Sequence, residues 1–119
     1  ARAGSGLATL QDRIRASLDE EWPVERMAGA AATSGRTLAR RFHEEVGTTP
    51  LNWLKVERVS RAAELLENGT IPLSDVWEVC GFGSAETFRR EFRKTMGIPP
   101  IRYRERLGAP QAEKRAEFV

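Results

Sequence analysis

Residues 34–53 read SGRTLARRFHEEVGTTPLNW, and residues 84–103 read SAETFRREFRKTMGIPPIRY. At a constant offset of 50 residues, Ser34, Thr37, Arg40, Phe42, Gly47 and Pro50 recur as Ser84, Thr87, Arg90, Phe92, Gly97 and Pro100. Leu38, Val46 and Trp53 become Phe88, Met96 and Tyr103, so the apolar character is kept. A repeat that preserves core positions plus one surface arginine describes a single structural device used twice.

Each copy reads as a helix. Ser34 is a good N-cap, and Gly47 suits the left-handed position just past a helix end. Thr49-Pro50 then restarts the chain, with Thr as cap and Pro at the first helical position. From Pro50 to Glu67 there is no breaker, and Asn68-Gly69 ends the run. Leu51, Leu54, Ala62, Leu65 and Leu66 supply its apolar contacts. Upstream, Leu7, Leu10, Ile14 and Leu18 predict a first helix ending before Trp22-Pro23. A short Ala-rich helix over Val24 to Ala32 follows, with Val24, Met27, Ala28 and Ala31 on one side. Downstream, Leu73 to Cys80 is a short helix closed by Gly81-Phe82-Gly83. Ser84 to Met96 is the second copy, and Pro99-Pro100 opens a last helix to about Leu107. No strand pattern is present, so the predicted fold is all-α with seven helices. Two helix-turn-helix subdomains of the homeodomain-like three-helix kind, residues 7–49 and 69–107, are joined by a long helix over 50–68. Residues 1–6 read as a linker or a cut end, and 108–119 as a frayed, flexible tail.

At 100° per residue, Leu38, Phe42 and Val46 share one face, and Arg36, Ala39, Arg40 and His43 lie opposite. In the second copy Phe88, Phe92 and Met96 face inward, and Glu86, Arg89, Arg90 and Arg93 outward. The inner side is shared and the outer side varies, except for Arg40 and Arg90. Two helices that read different DNA sequences would behave in this way: phosphate contacts set position, base contacts set specificity. Arg40 and Arg90 are the first candidates for bidentate contacts to guanine; Arg36, Arg89 and Arg93 come next. Glu86 would accept from a cytosine amino group or repel phosphate in a wrong register. Ser34, Thr37, Ser84 and Thr87 stand at helix N-termini, where hydroxyls and free N–H groups suit phosphate. Both serines are expected to be caps in any case. Arg41, His43 and Arg102 complete the phosphate candidates, although simple exposure of His43 stays open. Trp53 and Tyr103 read as core anchors, and Arg104, Arg106 and Arg115 as solvated.

Bulk composition agrees. The chain has 119 residues, 40% hydrophobic and 30% charged, which fits a globular fold. Net charge is only +2, but it is segregated: acids gather over 12–25, and arginines near 36–41, 89–94 and 102–106. No apolar run is long enough to span a bilayer, and no signal peptide is visible. One Cys and one His on separate helices exclude a disulfide and leave no basis for a metal site, cofactor or catalytic cluster. An enzyme is therefore not expected; a reducing, cytoplasmic setting is. The rival reading is an all-helical protein–protein interaction module with the arginines as a solvated rim.

The stretch from Val24 to Leu107 resembles the AraC/XylS-type DNA-binding domain. The resemblance rests on residues 76–84, VWEVCGFGS, then Phe88, Arg90, Phe92, Gly97, Pro100 and Tyr103-Arg104. Ser34, Leu38, Arg40, Phe42, Gly47, Pro50, Arg58, Ala62 and Leu65-Leu66 extend it. It implies a transcription regulator, commonly an activator, that binds double-stranded promoter DNA and contacts RNA polymerase. It places Arg36, Ala39 and Arg40, then Glu86, Arg89 and Arg90, against bases. Residues 36–42 and 47–54 look most like a subgroup with an amidotransferase-like N-terminal domain, which would make this the C-terminal part without its sensor. A cytoplasmic, nucleoid-associated location follows. Three departures stand out. Ala32 sits where the first turn often has Gly, Trp77 where a small residue is usual, and Pro99 where a small polar residue is usual.

Overall fold

Apolar residues at helical spacing, broken by Pro, Gly and Ser, leave the chain no alternative to helices. The computed structural model describes residues 5–108. Among them are seven α-helices: α1 (Ser5–Ala16), α2 (Val24–Ala30), α3 (Gly35–Glu45), α4 (Pro50–Asn68), α5 (Leu73–Val79), α6 (Ala85–Met96) and α7 (Pro100–Leu107). No strand occurs among the described residues. The expected tail lies almost wholly outside them, as does Arg115. The chain divides into two compact units, Ala1–Glu57 and Arg58–Val119, with the boundary inside α4.

The first unit is built on α1, α2, α3 and the start of α4. Leu7, Leu10, Ile14, Met27, Leu38 and Phe42 are almost fully buried, with Trp22 and Trp53 closing the cluster. α1 stops at Ala16, earlier than the sequence suggests, although Leu18 is still buried. The cause is Trp22, whose indole N–H donates to the Ser17 carbonyl at 2.9 Å and folds the turn back. The guanidinium of Arg26 covers that indole at 3.8 Å from the ring centre.

α2 also ends early, and Ala32 explains why. Ala32 adopts φ 56°, the only positive φ outside glycine among the described residues. It permits the Thr33 N–H to reach the Ala28 carbonyl at 2.9 Å, a helix-closing bond that takes up an end carbonyl. In the second unit Gly81 does the same work at φ 92°, with the Phe82 N–H bonded to the Trp77 carbonyl at 2.9 Å. So the first turn needs the left-handed conformation and meets it with a residue whose Cβ resists it.

The second unit packs Val59, Ala62, Leu66, Val76, Phe88 and Phe92 into its own core. Phe82, Phe88, Phe92 and Tyr103 form a run of ring contacts, with successive centroids 5.2, 5.6 and 5.3 Å apart. Trp77 does not disturb α5 or its turn. Its large ring is half-buried at the edge of the core, where it walls a groove of about 640 Å³ with Leu73, Phe88, Pro99, Pro100 and Ile101. Pro99 is accommodated as the N-cap of α7, with extended backbone. Cys80 is fully buried, and burial pushes its thiol up to about 11, so it is an inert filler.

Three expectations are corrected. Val46 does not join the inner face: it is the C-cap of α3 and 36% exposed. Leu51 is 45% exposed, because the second residue of α4 points away from the core. Arg104 is not merely solvated. Its guanidinium donates to the carbonyls of Leu65 and Leu66, both at 3.3 Å, and Ile71 at 2.8 Å. It therefore takes up the carbonyls of Leu66 and Ile71 around the C-terminal end of α4 and adds a second donor to that of Leu65, which already accepts from the Gly69 N–H at 3.1 Å. Beside it, the Tyr103 hydroxyl donates to the Glu67 carboxylate, which with burial holds the phenol up to about 12.

Two outcomes follow from these contacts. Ala32→Gly stabilises the first unit by about 0.5–1 kcal/mol, because relief of left-handed strain exceeds the entropy cost of glycine; urea denaturation measures it, and a lower midpoint would contradict the assigned strain. Arg104→Ala destabilises the second unit by about 1.5–3 kcal/mol, as expected for charge-assisted bonds, whereas a surface arginine would cost almost nothing.

Candidate nucleic-acid interface

The two copies form the same local device. The Ser34 Oγ accepts from the Thr37 N–H at 3.1 Å and donates to the Thr37 Oγ1 at 3.1 Å. Ser84 and Thr87 repeat both bonds at 3.1 Å. All four hydroxyls are therefore engaged in capping. Each threonine keeps its own hydroxyl hydrogen as a donor, and the remaining first-turn N–H groups carry the positive end of the helix.

Phe42 and Phe92 lie fully inward, and the residues opposite them are exposed. On α3 the exposed side carries Arg36, Ala39, Arg40 and His43. On α6 it carries Glu86, Arg89, Arg90 and Arg93, with Lys94 next to them. Arg102 is exposed in the first turn of α7. Thus all seven base-contact candidates are surface residues. Of the phosphate candidates, Thr37, Arg41, Ser84 and Thr87 are partly covered, the Arg41 side chain being 21% exposed.

The electrostatic setting of the arginines was only partly visible in sequence. Arg40 Nη1 lies 3.3 Å from Glu44, and Arg41 Nε 3.7 Å from Glu45, both across one helical turn. In α6, Arg90 Nε lies 3.5 Å from Glu91, a carboxylate that is largely buried. The spacing of Glu44 and Glu45 could have revealed the first two contacts. The burial of Glu91 could not have been read from periodicity, since its position matches Arg41 in the first copy.

Among the described residues no buried side-chain nitrogen or oxygen lacks a partner. No group of three His, Cys, Asp or Glu side chains among them could hold a metal ion. No helix among them is long and apolar enough to cross a membrane.

Residues 27–106 match a helix-turn-helix domain family. The crystal structure of the DNA-binding domain of AdpA, a global transcriptional factor in complex with a target DNA, aligns with TM-score 0.81. Identity is 35%, over 92% of this chain and 96% of that one. A transcriptional regulator with an AraC-type DNA-binding domain from Chromobacterium violaceum aligns with TM-score 0.81 at 25% identity, covering 89% of this chain and 95% of the other. In sequence, the chain is 35% identical over 86 residues to the RCS-specific HTH-type transcriptional activator RclR of Escherichia coli K12, spanning 72% of this chain and 30% of the relative. The chain spans about three tenths of the length of these curated relatives and others like them.

Replacing Ser34 or Ser84 by Ala removes both bonds of one cap. Each change lowers unfolding free energy by about 1 kcal/mol, and Asp at the same position restores it. Thermal or urea melts of the four variants check this; no rescue by Asp would mean that the hydroxyl pair, not the cap, carries the effect.

Proposed function

Because the chain belongs to the AraC-type helix-turn-helix DNA-binding domains, we infer that it is the part of a bacterial transcription regulator that binds double-stranded DNA by sequence. One observation carries the reading. Two identically capped helices each hide a phenylalanine and expose an arginine, while the rest of their outer faces differ.

Under this reading Arg36, Ala39 and Arg40 of α3, and Glu86, Arg89, Arg90 and Arg93 of α6, meet base edges. Ser34, Thr37, Arg41, His43, Ser84, Thr87 and Arg102 meet the phosphate backbone. Residues 7–49 and 69–107 act as two subdomains joined by the helix over 50–68. They read successive major-groove segments about one helical turn apart, roughly 10 bp. Unlike outer faces require an asymmetric site. The whole regulator acts as an activator at promoters in the cytoplasm, on the nucleoid, with RNA polymerase as partner and a separate N-terminal sensor domain. That sensor is amidotransferase-like on the subgroup resemblance.

Selection of bound sequences from random duplexes tests function and asymmetry together. The expected result is one non-palindromic motif with two unlike halves; no enrichment would reject sequence reading. Arg40→Ala and Arg90→Ala each weaken binding to the selected site by about 1–3 kcal/mol and relax discrimination at one base pair. Equal weakening on random duplexes would assign both arginines to phosphate instead.

A further inference from the structure

Both copies pair the shared arginine with a carboxylate, but they differ in the charge that stands one turn after it. Four residues after Arg40 stands Glu44; four residues after Arg90 stands Lys94, at the matched position. Glu44 draws the Arg40 guanidinium to 3.3 Å, and Glu45 draws Arg41 to 3.7 Å. Lys94 adds a second positive charge one turn from Arg90, a like-charge spacing that is mutually repulsive and supplies no carboxylate where Glu44 stands in the first copy. Glu91 approaches Arg90 at 3.5 Å, but the side chains of Arg89, Arg93 and Lys94 of α6 and Arg102 of α7 have no hydrogen bond or ion pair among the described residues. All four are exposed. On α3 only Arg36 is in that state.

We propose that the second unit is the electrostatic anchor on DNA, and that Glu44 and Lys94 set this division. A cation with no carboxylate partner releases a counterion from DNA when it meets phosphate, and contributes to the salt dependence of binding. An arginine already paired with a carboxylate must exchange one anion for another, and the freed carboxylate regains a counterion. It releases little on balance. Arg40 and Arg41 therefore add contacts but little salt dependence, whereas Arg89, Arg93, Lys94 and Arg102 supply most of it. The first unit is left to bind chiefly through short-range fit, which makes its contribution the more dependent on sequence. This proposal rests on the DNA-binding reading and concerns binding to duplexes of any sequence, in which Arg89 and Arg93 meet phosphate and are brought to base edges only at a selected site.

The test is the slope of log K against log salt for the whole chain on a random duplex, by fluorescence anisotropy. Each phosphate contact contributes a slope of about −0.9, so one contact changes affinity about threefold between 50 and 200 mM salt. Arg93→Ala flattens the slope by about 0.9, and Arg41→Ala by less than half as much. Glu44→Gln steepens it by up to about 0.9, and this effect disappears in an Arg40→Ala background, which separates local release of Arg40 from a general charge effect. Lys94→Glu flattens the slope by about 1–2. These positions are exposed on helix surfaces, and circular dichroism confirms that each variant remains helical. Equal flattening by Arg41→Ala and Arg93→Ala overturns the proposal, and so does persistence of the Glu44→Gln effect without Arg40. In both cases the DNA-binding reading stands. Absence of binding by the unaltered chain at low salt overturns that reading, and the proposal with it.

Discussion

Each unit depends on one contact: the ring of an inward phenylalanine against an aromatic in the first turn of the next helix. Phe42 meets Trp53 with centroids 5.8 Å apart, and Phe92 meets Tyr103 at 5.3 Å. Both pairs are tilted or edge-on, geometries that add about 0.5–1.5 kcal/mol to simple burial. For the second ring to come back onto the first, the chain must turn sharply after α3 and α6. Gly47 at φ 89° and Gly97 at φ 87° make that turn, and Pro50 and Pro100 start the following helices. No atom would obstruct a Cβ at either glycine, so the requirement is conformational and not one of space. The contact also fixes what each helix shows to solvent. Arg40 and Arg90 precede their phenylalanines by two residues, about 200° around the helix. Locking the ring inward therefore points the arginine outward.

The two units support this contact by different means. In the first, the Arg15 guanidinium lies 5.3 Å from the centre of the Trp53 ring and bonds Glu57 at 2.9 Å. A cation on the exposed ring face shields it without more hydrocarbon. In the second, the support is internal. Phe82 and Phe88 extend the ring series on one side, while Glu67 takes the Tyr103 hydroxyl on the other. Arg104 then binds three carbonyls around the end of α4. One frame is thus held by a surface cation in one copy and by a deeper aromatic run with polar ties in the other.

What could be read from sequence follows the same division between local and distant causes. Helix number, the serine caps, the left-handed glycines and the two aromatic anchors all come from spacings within one or two turns, and they match the structure. The outward direction of Arg36, Arg40, Arg89, Arg90 and Arg93 was equally legible, because helical period fixes exposure once the buried face is known. Contacts between distant residues were not legible. Arg104 reaches carbonyls 33 to 39 positions away, and nothing in its neighbours marks it as different from Arg106. Val46 and Leu51 failed for a third reason: helical phase is a poor guide at the last and first residues of a helix, where the backbone leaves the cylinder. Ala32 looked merely unusual; only the backbone showed that an alanine holds a conformation suited to glycine.

The buried Cys80 has a consequence for how opening of the molecule can be observed. It is the only thiol of the chain, and it lies wholly within the second unit's core. The first unit holds none. A thiol reagent therefore reports on one half alone, and only in those moments when that half comes apart. The molecule thus carries a chemical clock on the unit that holds α6 and α7, and silence on the other.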